Sequence, residues 1–158
     1  MAAGPAEWHL RPYRPEDCAE LARLCRDTVQ AVCRADYTAG ELDAWVSGVS
    51  PEAWAPTLAA HETWVAQSGN LLIGFADLTD GGYLDRLYVH RDFQGRGVAT
   101  ALCDLLESRS AVPTMTVHAS RTALPFFLHR GYRLVRPNQV LRRGVTLENF
   151  LLEKPLSE

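Results

Sequence analysis

A glycine-rich loop between a strand and a helix is the feature that most constrains this chain of 158 residues. The loop contains Gly95 and Gly97, follows the strand-like run Tyr83–Val89 and leads directly into the helical pattern Val98–Ser108. Glycines let a backbone approach a ligand without side-chain obstruction, and the free amides of a helix's first turn attract anions. The loop therefore predicts an anion site suited to a pyrophosphate, and Arg96 adds a cation beside it.

The two best-known phosphate-binding patterns do not match this loop. A P-loop needs a lysine followed by serine or threonine after the glycines, and a dinucleotide-binding loop needs a third glycine within a parallel strand–helix–strand unit. Here Gly97 is followed by Val98, Ala99 and Thr100, and the preceding strands are predicted to be antiparallel. A plain strand-to-helix turn that binds no ligand stays open as the alternative interpretation.

Charge and composition exclude several classes of protein. Sixteen Lys and Arg against nineteen Asp and Glu give a formal net charge of −3, so the basic excess of a nucleic-acid-binding domain is absent. With 47% hydrophobic and 22% charged residues the chain is typical of one globular domain, predicted to span residues 1–158. No apolar run approaches the roughly 18 residues that cross a bilayer, and Glu7 and His9 interrupt the region where a signal peptide is apolar. We therefore expect a cytoplasmic protein with no membrane or nucleic-acid partner.

The cysteines and histidines give no pattern typical of a metal site. Cys18, Cys25 and Cys33 are seven and eight residues apart, which fits one face of a helix, and no C-x-x-C pair occurs. His61-Glu62 lacks the second histidine of a zinc-protease helix. Structural thiols and no bound metal are predicted.

Hydrophobic periodicity predicts an α+β domain, a mixed α/β fold in one unit. Strands are predicted at Trp8–Tyr13, Glu62–Ala66, Leu71–Leu78, Tyr83–Val89, Thr114–His118, Tyr132–Val135 and Val145–Leu152. Helices are predicted from Arg14 to about Cys33, at Thr38–Val46, as one short turn at Ser50–Glu52, at Val98–Ser108 and at Ala123–Arg130. Turn signals at Gly69-Asn70 and Asp80-Gly81-Gly82 join the three central strands into an antiparallel sheet.

Two blocks of this sequence resemble the signature motifs of the GNAT superfamily of N-acetyltransferases. Gln94-Gly-Arg-Gly-Val-Ala99 is similar to the motif [QR]-x-x-G-x-[GA], and it follows the strand end Leu87-Tyr-Val-His90 as it does in that family. Ala119–Tyr132 is similar to the block N-x-x-A-x-x-[FL]-Y-x-[KR]-x-G-F. The element order from Trp8 to Leu152 also fits, and Arg34–Trp45 resembles a bacterial branch of the superfamily whose substrate is uncharacterised.

The resemblance implies a GNAT-like fold, in which helices flank a mostly antiparallel sheet that splays at the cofactor site, and acetyl-CoA as donor. The loop amides would hold the pyrophosphate, the strand before the loop would pair with the pantetheine arm, and an amide near Leu87 would polarise the thioester carbonyl. Ser120 stands where the family commonly has Asn, and its hydroxyl can still bond the arm. The implied cofactor residues are Leu87, Tyr88, Val89, Gln94, Gly95, Arg96, Gly97, Val98, Ala99, Thr100 and Ser120.

Acetyl transfer to an amine needs a base that removes a proton from the amine. Asp85 is the first candidate, since strand alternation places it on the face of Leu87 and Val89 and the family often has a carboxylate there. His118 ends the strand before the second block, and an unperturbed histidine pKa of about 6.5 suits proton relay. A salt bridge from Asp85 to a neighbouring arginine and a packing role for His118 are the alternatives.

The proton donor for the departing thiolate stays open. Phe127 occupies the position where many family members have a tyrosine, and a phenyl ring has no proton to donate. Either solvent protonates the thiolate or another group such as Tyr37, Tyr88 or Tyr132 does so.

The acceptor site is expected around the first helices, at Asp36, Tyr37 and Trp45, together with Trp54 and Trp64. Asp36 can attract a cationic amine or cap a turn, and the tryptophans can line an aromatic pocket or fill the core. The resemblance thus implies an acetyl-CoA-dependent N-acetyltransferase, monomeric or homodimeric, that acts on a primary amine of a small molecule or peptide by direct attack. A non-catalytic acyl-CoA-binding module is the alternative.

Overall fold

The computed structural model describes residues 7–156, which form one seven-stranded sheet flanked by helices. The strands are β1 His9–Pro12, β2 Glu62–Ser68, β3 Leu71–Leu78, β4 Tyr83–Val89, β5 Thr114–Ser120, β6 Arg133–Arg142 and β7 Val145–Pro155. The helices are α1 Cys18–Val32, α2 Ala39–Val46, α3 Pro51–Ala60, α4 Val98–Arg109 and α5 Leu124–His129. The predicted α+β fold is confirmed. Residues 1–6, part of the segment used for the targeting prediction, lie outside the described residues.

The sheet runs in the order β1-β2-β3-β4-β5-β7-β6 and separates two hydrophobic clusters. Alternation along β3 places Phe75 in the cluster that α1, α2 and α3 complete, and its neighbour Ala76 in the cluster that α4 and α5 complete. The four cysteines are free and buried, three in the first cluster and Cys103 in the second. None of the helices between residues 7 and 156 is long and apolar enough to cross a membrane.

Two helices show how local sequence sets their starts. At α2, Thr38 Oγ1 accepts from the Glu41 amide at 3.1 Å while the Glu41 carboxylate accepts from the Thr38 amide at 2.8 Å, which is the predicted capping box. At α3, Ser50 Oγ accepts from the Ala53 amide at 3.1 Å. The prediction of one short turn there is wrong: α3 has ten residues, because Trp54 and Leu58, one turn apart, are both buried in the first cluster.

The β6–β7 hairpin is longer than the sequence pattern predicted. β6 has ten residues, including Pro137, where only Tyr132–Val135 was expected to be extended. A proline is tolerated because β6 is the edge strand, paired on one side only with β7. The hairpin turn is Arg143-Gly144, both with positive φ (48° and 76°), as two-residue turns require.

The neighbouring strands are antiparallel except for β4 and β5, which are parallel and pair at two positions: Tyr83 with Thr116 and Leu84 with Val117. Beyond Leu84 and Val117 the two strands do not pair with each other, so they separate towards their carboxyl ends. The predicted splay of a mostly antiparallel sheet is therefore present. It opens the middle of the sheet directly beside the glycine-rich loop.

Candidate active site

The splayed strands open into a cleft of about 320 Å³ between β4, β5 and the N-termini of α4 and α5. Every predicted cofactor residue lines it except Arg96. The Arg96 guanidinium instead lies over the Phe93 ring, 5.3 Å from its centroid. Ser120 lines the cleft and its hydroxyl also accepts from the Ala123 amide at 3.0 Å, which fixes the turn before α5.

The loop has the conformation that its glycines permit. Gly95 and Gly97 have φ values of 74° and 83°, in the left-handed region that favours glycine. Gly97 is the N-cap of α4, and no side chain caps it, so the first-turn amides are free to bind a ligand. Gln94 Nε2 donates to the Val89 carbonyl at 2.6 Å and thereby ties the loop to the end of β4.

The backbone of β4 offers hydrogen-bonding groups to the cleft. The His90 amide donates to the Ile73 carbonyl of β3 at 2.7 Å. Because backbone groups of a strand alternate in direction, those of Leu87 and Val89 point away from β3, towards the unpaired side. Tyr88 pairs with Phe75, so its backbone groups face β3. Tyr88 therefore lines the cleft, but its backbone is not available to pair with a ligand there.

Asp85 lies in a β-bulge that the sequence did not reveal. Opposite β4, Asp77 pairs with Arg86 and the next residue of β3 pairs with Leu84, which leaves Asp85 as the extra residue. The prediction that Asp85 shares a face with Leu87 and Val89 is wrong, because the bulge interrupts the alternation. Leu87 and Val89 pack with the second cluster, while Asp85 lies beside Arg86, whose guanidinium covers Trp54 of the first cluster at 4.6 Å.

The Asp85 carboxylate is partly exposed, with 32% of its side-chain surface accessible. Its Oδ2 lies 3.7 Å from Arg86 Nη1 and 3.8 Å from His61 Nδ1. The alternative of a salt bridge to an arginine is thus present, at a distance longer than a hydrogen bond. The carboxylate remains available to a ligand.

His118 forms a pair with a tyrosine that the sequence analysis missed. His118 Nδ1 lies 2.9 Å from the Tyr83 hydroxyl. Burial, and then the charge of Arg136, lower the pKa of His118, while burial and then the charges of Asp85 and Asp77 raise the pKa of Tyr83 to about 12. The lowered pKa favours the neutral imidazole, and which of the two groups donates the hydrogen bond depends on the tautomer of His118.

A second cavity of about 210 Å³ adjoins the cleft. Its walls come from the loop before α2, from α2, from the splayed strands and from the β6–β7 hairpin, including the predicted acceptor residues Tyr37 and Trp45. The residues that line both cavities are Trp45, Asp85, Tyr88, His118 and Ser120. The structure therefore brings both base candidates to the junction of the two cavities.

One predicted acceptor residue lies elsewhere. Asp36 does not line the second cavity: its carboxylate accepts from the Thr122 hydroxyl at 2.7 Å, and its carbonyl accepts from Arg121 at 2.8 Å. Tyr37 holds the wall in place, because its hydroxyl donates to the Glu148 carbonyl at 2.6 Å and accepts from the Arg121 amide at 2.9 Å. Asp36 and Tyr37 thus link α1 and α2 to the other half of the fold.

The candidate proton donors differ in where they lie relative to the two cavities. Tyr132 lines neither cavity and donates to Glu107 at 3.1 Å. Phe127 is 2% exposed and forms an apolar part of the cleft wall. Tyr88 lines both cavities, and burial, followed by the neighbouring Cys25, raises its pKa well above the usual range, which keeps its hydroxyl protonated.

His61, Asp77 and Asp85 form the one group of potential metal ligands within residues 7–156, with one ligand atom of each within 4.8 Å of the others. Arg86 Nη1 lies 2.5 Å from Asp77 Oδ2, so a guanidinium already neutralises this carboxylate. A second cation beside it would be repelled. The group therefore fits an ion-pair network better than a metal centre.

Comparison with known proteins agrees with this architecture. Residues 33–153 match the family model of the acetyltransferase (GNAT) domain. The uncharacterized N-acetyltransferase YafP of Escherichia coli strain K12 is 32% identical over 144 residues, which cover 90% of this chain and 93% of that protein. The GCN5-related N-acetyltransferase from Rhodopseudomonas palustris has 34% identity and a TM-score of 0.89, over 94% of this chain and 95% of that one.

A more distant structure shares the fold. The PaiA N-acetyltransferase from Thermoplasma acidophilum, solved in complex with coenzyme A, has a TM-score of 0.75 at 16% identity, over 94% of this chain and 99% of that one. The family model covers more than half of the chain, and YafP is similar over nearly its whole length. This chain belongs to the GNAT family of acetyltransferases.

Proposed function

We propose that this protein is an acetyl-CoA-dependent N-acetyltransferase that acts on a primary amine of a small molecule or peptide. The observation that carries the proposal is the meeting of two cavities at Asp85 and His118. One cavity has the groups that a nucleotide thioester needs, and the other is open to an acceptor.

Two features of the cleft fit the donor. The uncapped start of α4 and the left-handed Gly95 and Gly97 suit a pyrophosphate. The backbone edge at Leu87 and Val89, which no neighbouring strand pairs, suits an extended amide-containing arm that would bind there as an added strand. When bound, acetyl-CoA would supply an activated acetyl thioester. PaiA, which shares the fold, was solved with coenzyme A.

Asp85 is the proposed general base. Its carboxylate is partly exposed at the junction and would take a proton from the acceptor ammonium, freeing the nitrogen lone pair for direct attack. His118 is the weaker candidate, because its Nδ1 is occupied by the Tyr83 hydroxyl. The Leu87 amide is suitably directed to stabilise negative charge on a carbonyl oxygen. Tyr88 is the proposed proton donor to the leaving thiolate, because Phe127 cannot serve.

The second cavity sets the class of acceptor that we propose. Its walls include four aromatic rings, those of Tyr37, Trp45, Tyr83 and Tyr88. The charged residues that line it are two acids, Asp85 and Glu148, and one base, Arg142. A cationic amine is attracted both by aromatic faces and by a carboxylate. The proposal includes one domain over residues 1–158 and a cytoplasmic location, as predicted from the sequence.

Thiol release from acetyl-CoA, measured over a panel of primary amines and amine-bearing peptides from pH 6 to 9, tests the proposal. We expect amine-dependent release together with an acetylated amine detected by mass spectrometry. Phe127 specifically favours a second candidate, a non-catalytic acyl-CoA-binding module, because it removes the hydroxyl that the family commonly has there. Tight acetyl-CoA binding without turnover on any amine would support that module instead. A calorimetric titration showing no acetyl-CoA affinity would exclude both and leave a plain interaction domain.

A further inference from the structure

Asp77 is a buried carboxylate that the proposed reaction does not yet use. It lies within β3, which is otherwise apolar apart from a glycine, and its side chain has no exposed surface. Its Oδ2 accepts from Arg86 Nη1 at 2.5 Å and lies 2.8 Å from His61 Nδ1, whereas its Oδ1 has no hydrogen-bond partner among the described residues.

Such a group is costly for stability alone. Burial raises the pKa of Asp77, and the charges of Arg86 and His61 only oppose that effect. A buried ion pair is often no more stabilising than apolar residues of the same size, and an unpartnered buried oxygen adds a further cost. An apolar residue at position 77 would extend the core of β3. The presence of a carboxylate there points to a role at the site.

Both partners of Asp77 also face Asp85. His61 Nδ1 and Arg86 Nη1 lie 3.8 Å and 3.7 Å from Asp85 Oδ2. Since the bulge leaves Asp85 without a partner on β3, these side chains are what borders its carboxylate on that side. Asp77 therefore holds the two groups between which the Asp85 carboxylate lies.

The two intermediary side chains are themselves fixed by α3. Arg86 Nη2 donates to Thr57 Oγ1 at 2.7 Å, and the guanidinium covers the Trp54 ring. His61 is the residue that ends α3, and its own amide donates to the Thr57 carbonyl at 2.9 Å. The end of α3, β3 and the bulge of β4 thus form one hydrogen-bonded unit beneath Asp85.

We propose that Asp77, acting through His61 and Arg86, positions the Asp85 carboxylate at the junction of the two cavities. The inference rests on the proposed function, in which Asp85 is the base. Asp77 and His61 line neither cavity and Arg86 lines only the donor cleft, so Asp85 alone among the four faces the acceptor cavity, and the other three are positioning residues for it. In the reaction, Asp85 takes one proton from the ammonium and releases it to solvent, and the three positioning residues gain and lose none.

A double-mutant cycle between Asp77→Asn and Asp85→Asn tests this role. In the wild-type background we expect Asp77→Asn to lower kcat about tenfold or more, with the acetyl-CoA dissociation constant unchanged within about twofold. In the Asp85→Asn background the same substitution should change the residual kcat less than about twofold. Residues that act through one group are strongly non-additive, whereas residues that act independently give additive free energies.

A matched control separates positioning from general destabilisation. Asp17 is also a buried carboxylate, paired with Arg11 at 2.9 Å, and it lines neither cavity. We expect Asp17→Asn to lower the melting temperature without lowering kcat. Should Asp77→Asn fail to fold, His61→Asn takes its place in the cycle, because His61 lies nearer the surface with 16% of its side chain exposed.

The outcomes distinguish this inference from the proposed function. Suppose that the wild-type protein turns over and that Asp77→Asn lowers kcat by the same factor in the Asp85→Asn background as in the wild type. The positioning role would then be overturned, while the proposed function would stand. An equal loss of kcat in Asp17→Asn would overturn it as well, because the effect would then be general. Absence of wild-type turnover on every amine would overturn the proposed function, and the positioning role with it.

Discussion

The two cavities of this protein are built from different parts of the chain. In the donor cleft, the groups proposed to bind the pyrophosphate and the pantetheine arm are backbone groups of one continuous segment, from the end of β4 to the start of α4, although α1, α2, β5 and α5 also line the cleft. The acceptor cavity is made of side chains from distant segments, including the loop at Tyr37, α2, β4, β5 and the β6–β7 hairpin. The first therefore depends on a local conformation, and the second on long-range packing.

This difference explains how each region is expected to tolerate substitution. A backbone site is insensitive to most side-chain changes but is disrupted wherever a left-handed φ or an exposed amide is lost. A site built from side chains loses its function when a single residue is replaced, because no neighbouring residue supplies the missing group. Substitutions in the donor cleft should change binding, and those at the junction should change turnover.

The largest effect is expected at the junction. Asp85→Asn removes the proposed base while keeping the size of the side chain, so kcat should fall by about 10² to 10⁴. Binding of acetyl-CoA should be nearly unchanged, because the base acts on the amine. Steady-state kinetics and calorimetry on the same preparation give both quantities.

The pH dependence sharpens this prediction. The deficit of Asp85→Asn should shrink at high pH, where more of the amine is already neutral. Full activity of Asp85→Asn at pH 7 would rule out Asp85 as the base and leave His118 as the candidate base.

The donor cleft is tested by Gly97→Asp. The substitution places a side chain where φ is 83° and adds a negative charge at the start of α4, where the pyrophosphate is proposed to bind. Acetyl-CoA affinity should fall at least about tenfold, or about 1.4 kcal/mol, in a titration.

Gly69→Asp is the matched control for Gly97→Asp. Gly69 also has a left-handed φ of 58°, and a side chain there would likewise meet open space, but it lies in the β2–β3 turn away from the cleft. We expect unchanged acetyl-CoA affinity in Gly69→Asp. Unchanged acetyl-CoA affinity in a folded Gly97→Asp protein would contradict the proposal that the pyrophosphate binds at this loop.

The same contrast explains what the sequence could predict. Gly95 and Gly97 report a local conformation, so the loop, the helix after it and the cleft follow from adjacent residues and their resemblance to a known motif. The bulge at Asp85 could not be predicted, because strand alternation assumes an unbroken register and nothing in Leu84-Asp85-Arg86 signals an extra residue. The face assigned to Asp85 was therefore wrong.

The contacts of the positioning residues beneath Asp85 could not be predicted from the sequence either. His61 and Arg86 lie twenty-five positions apart in the sequence. Asp77 lies in a run that indicates only a buried strand. Their contacts exist because β2, β3 and β4 pair side by side and α3 ends above them. The one available signal was a charged residue, Asp77, near the end of a buried and otherwise apolar strand.

A smaller effect is expected at His118. His118→Ala removes the hydrogen bond to Tyr83 but leaves Asp85 in place. Loss of one net hydrogen bond is worth about 0.5 to 1.5 kcal/mol, so kcat should fall roughly 2- to 10-fold. Tyr83→Phe removes the same bond from the other side and should give a loss of similar size. A loss in His118→Ala greater than that in Asp85→Asn would reverse the assignment of the base.

The smallest effect is expected at Asp36, and it tests where the acceptor cavity ends. Its carboxylate is bonded to Thr122 outside that cavity, so Asp36→Asn, which keeps an oxygen able to accept the same bond, should leave KM for the amine and kcat unchanged within about twofold. Tyr37→Phe is the contrasting variant, because it loses the bonds that join the cavity wall to Glu148 and Arg121. It should raise KM for the amine while leaving acetyl-CoA affinity intact. A rise in amine KM for Asp36→Asn as large as that for Tyr37→Phe would mean that the bound amine reaches Asp36, and the acceptor site would then extend beyond the cavity seen here.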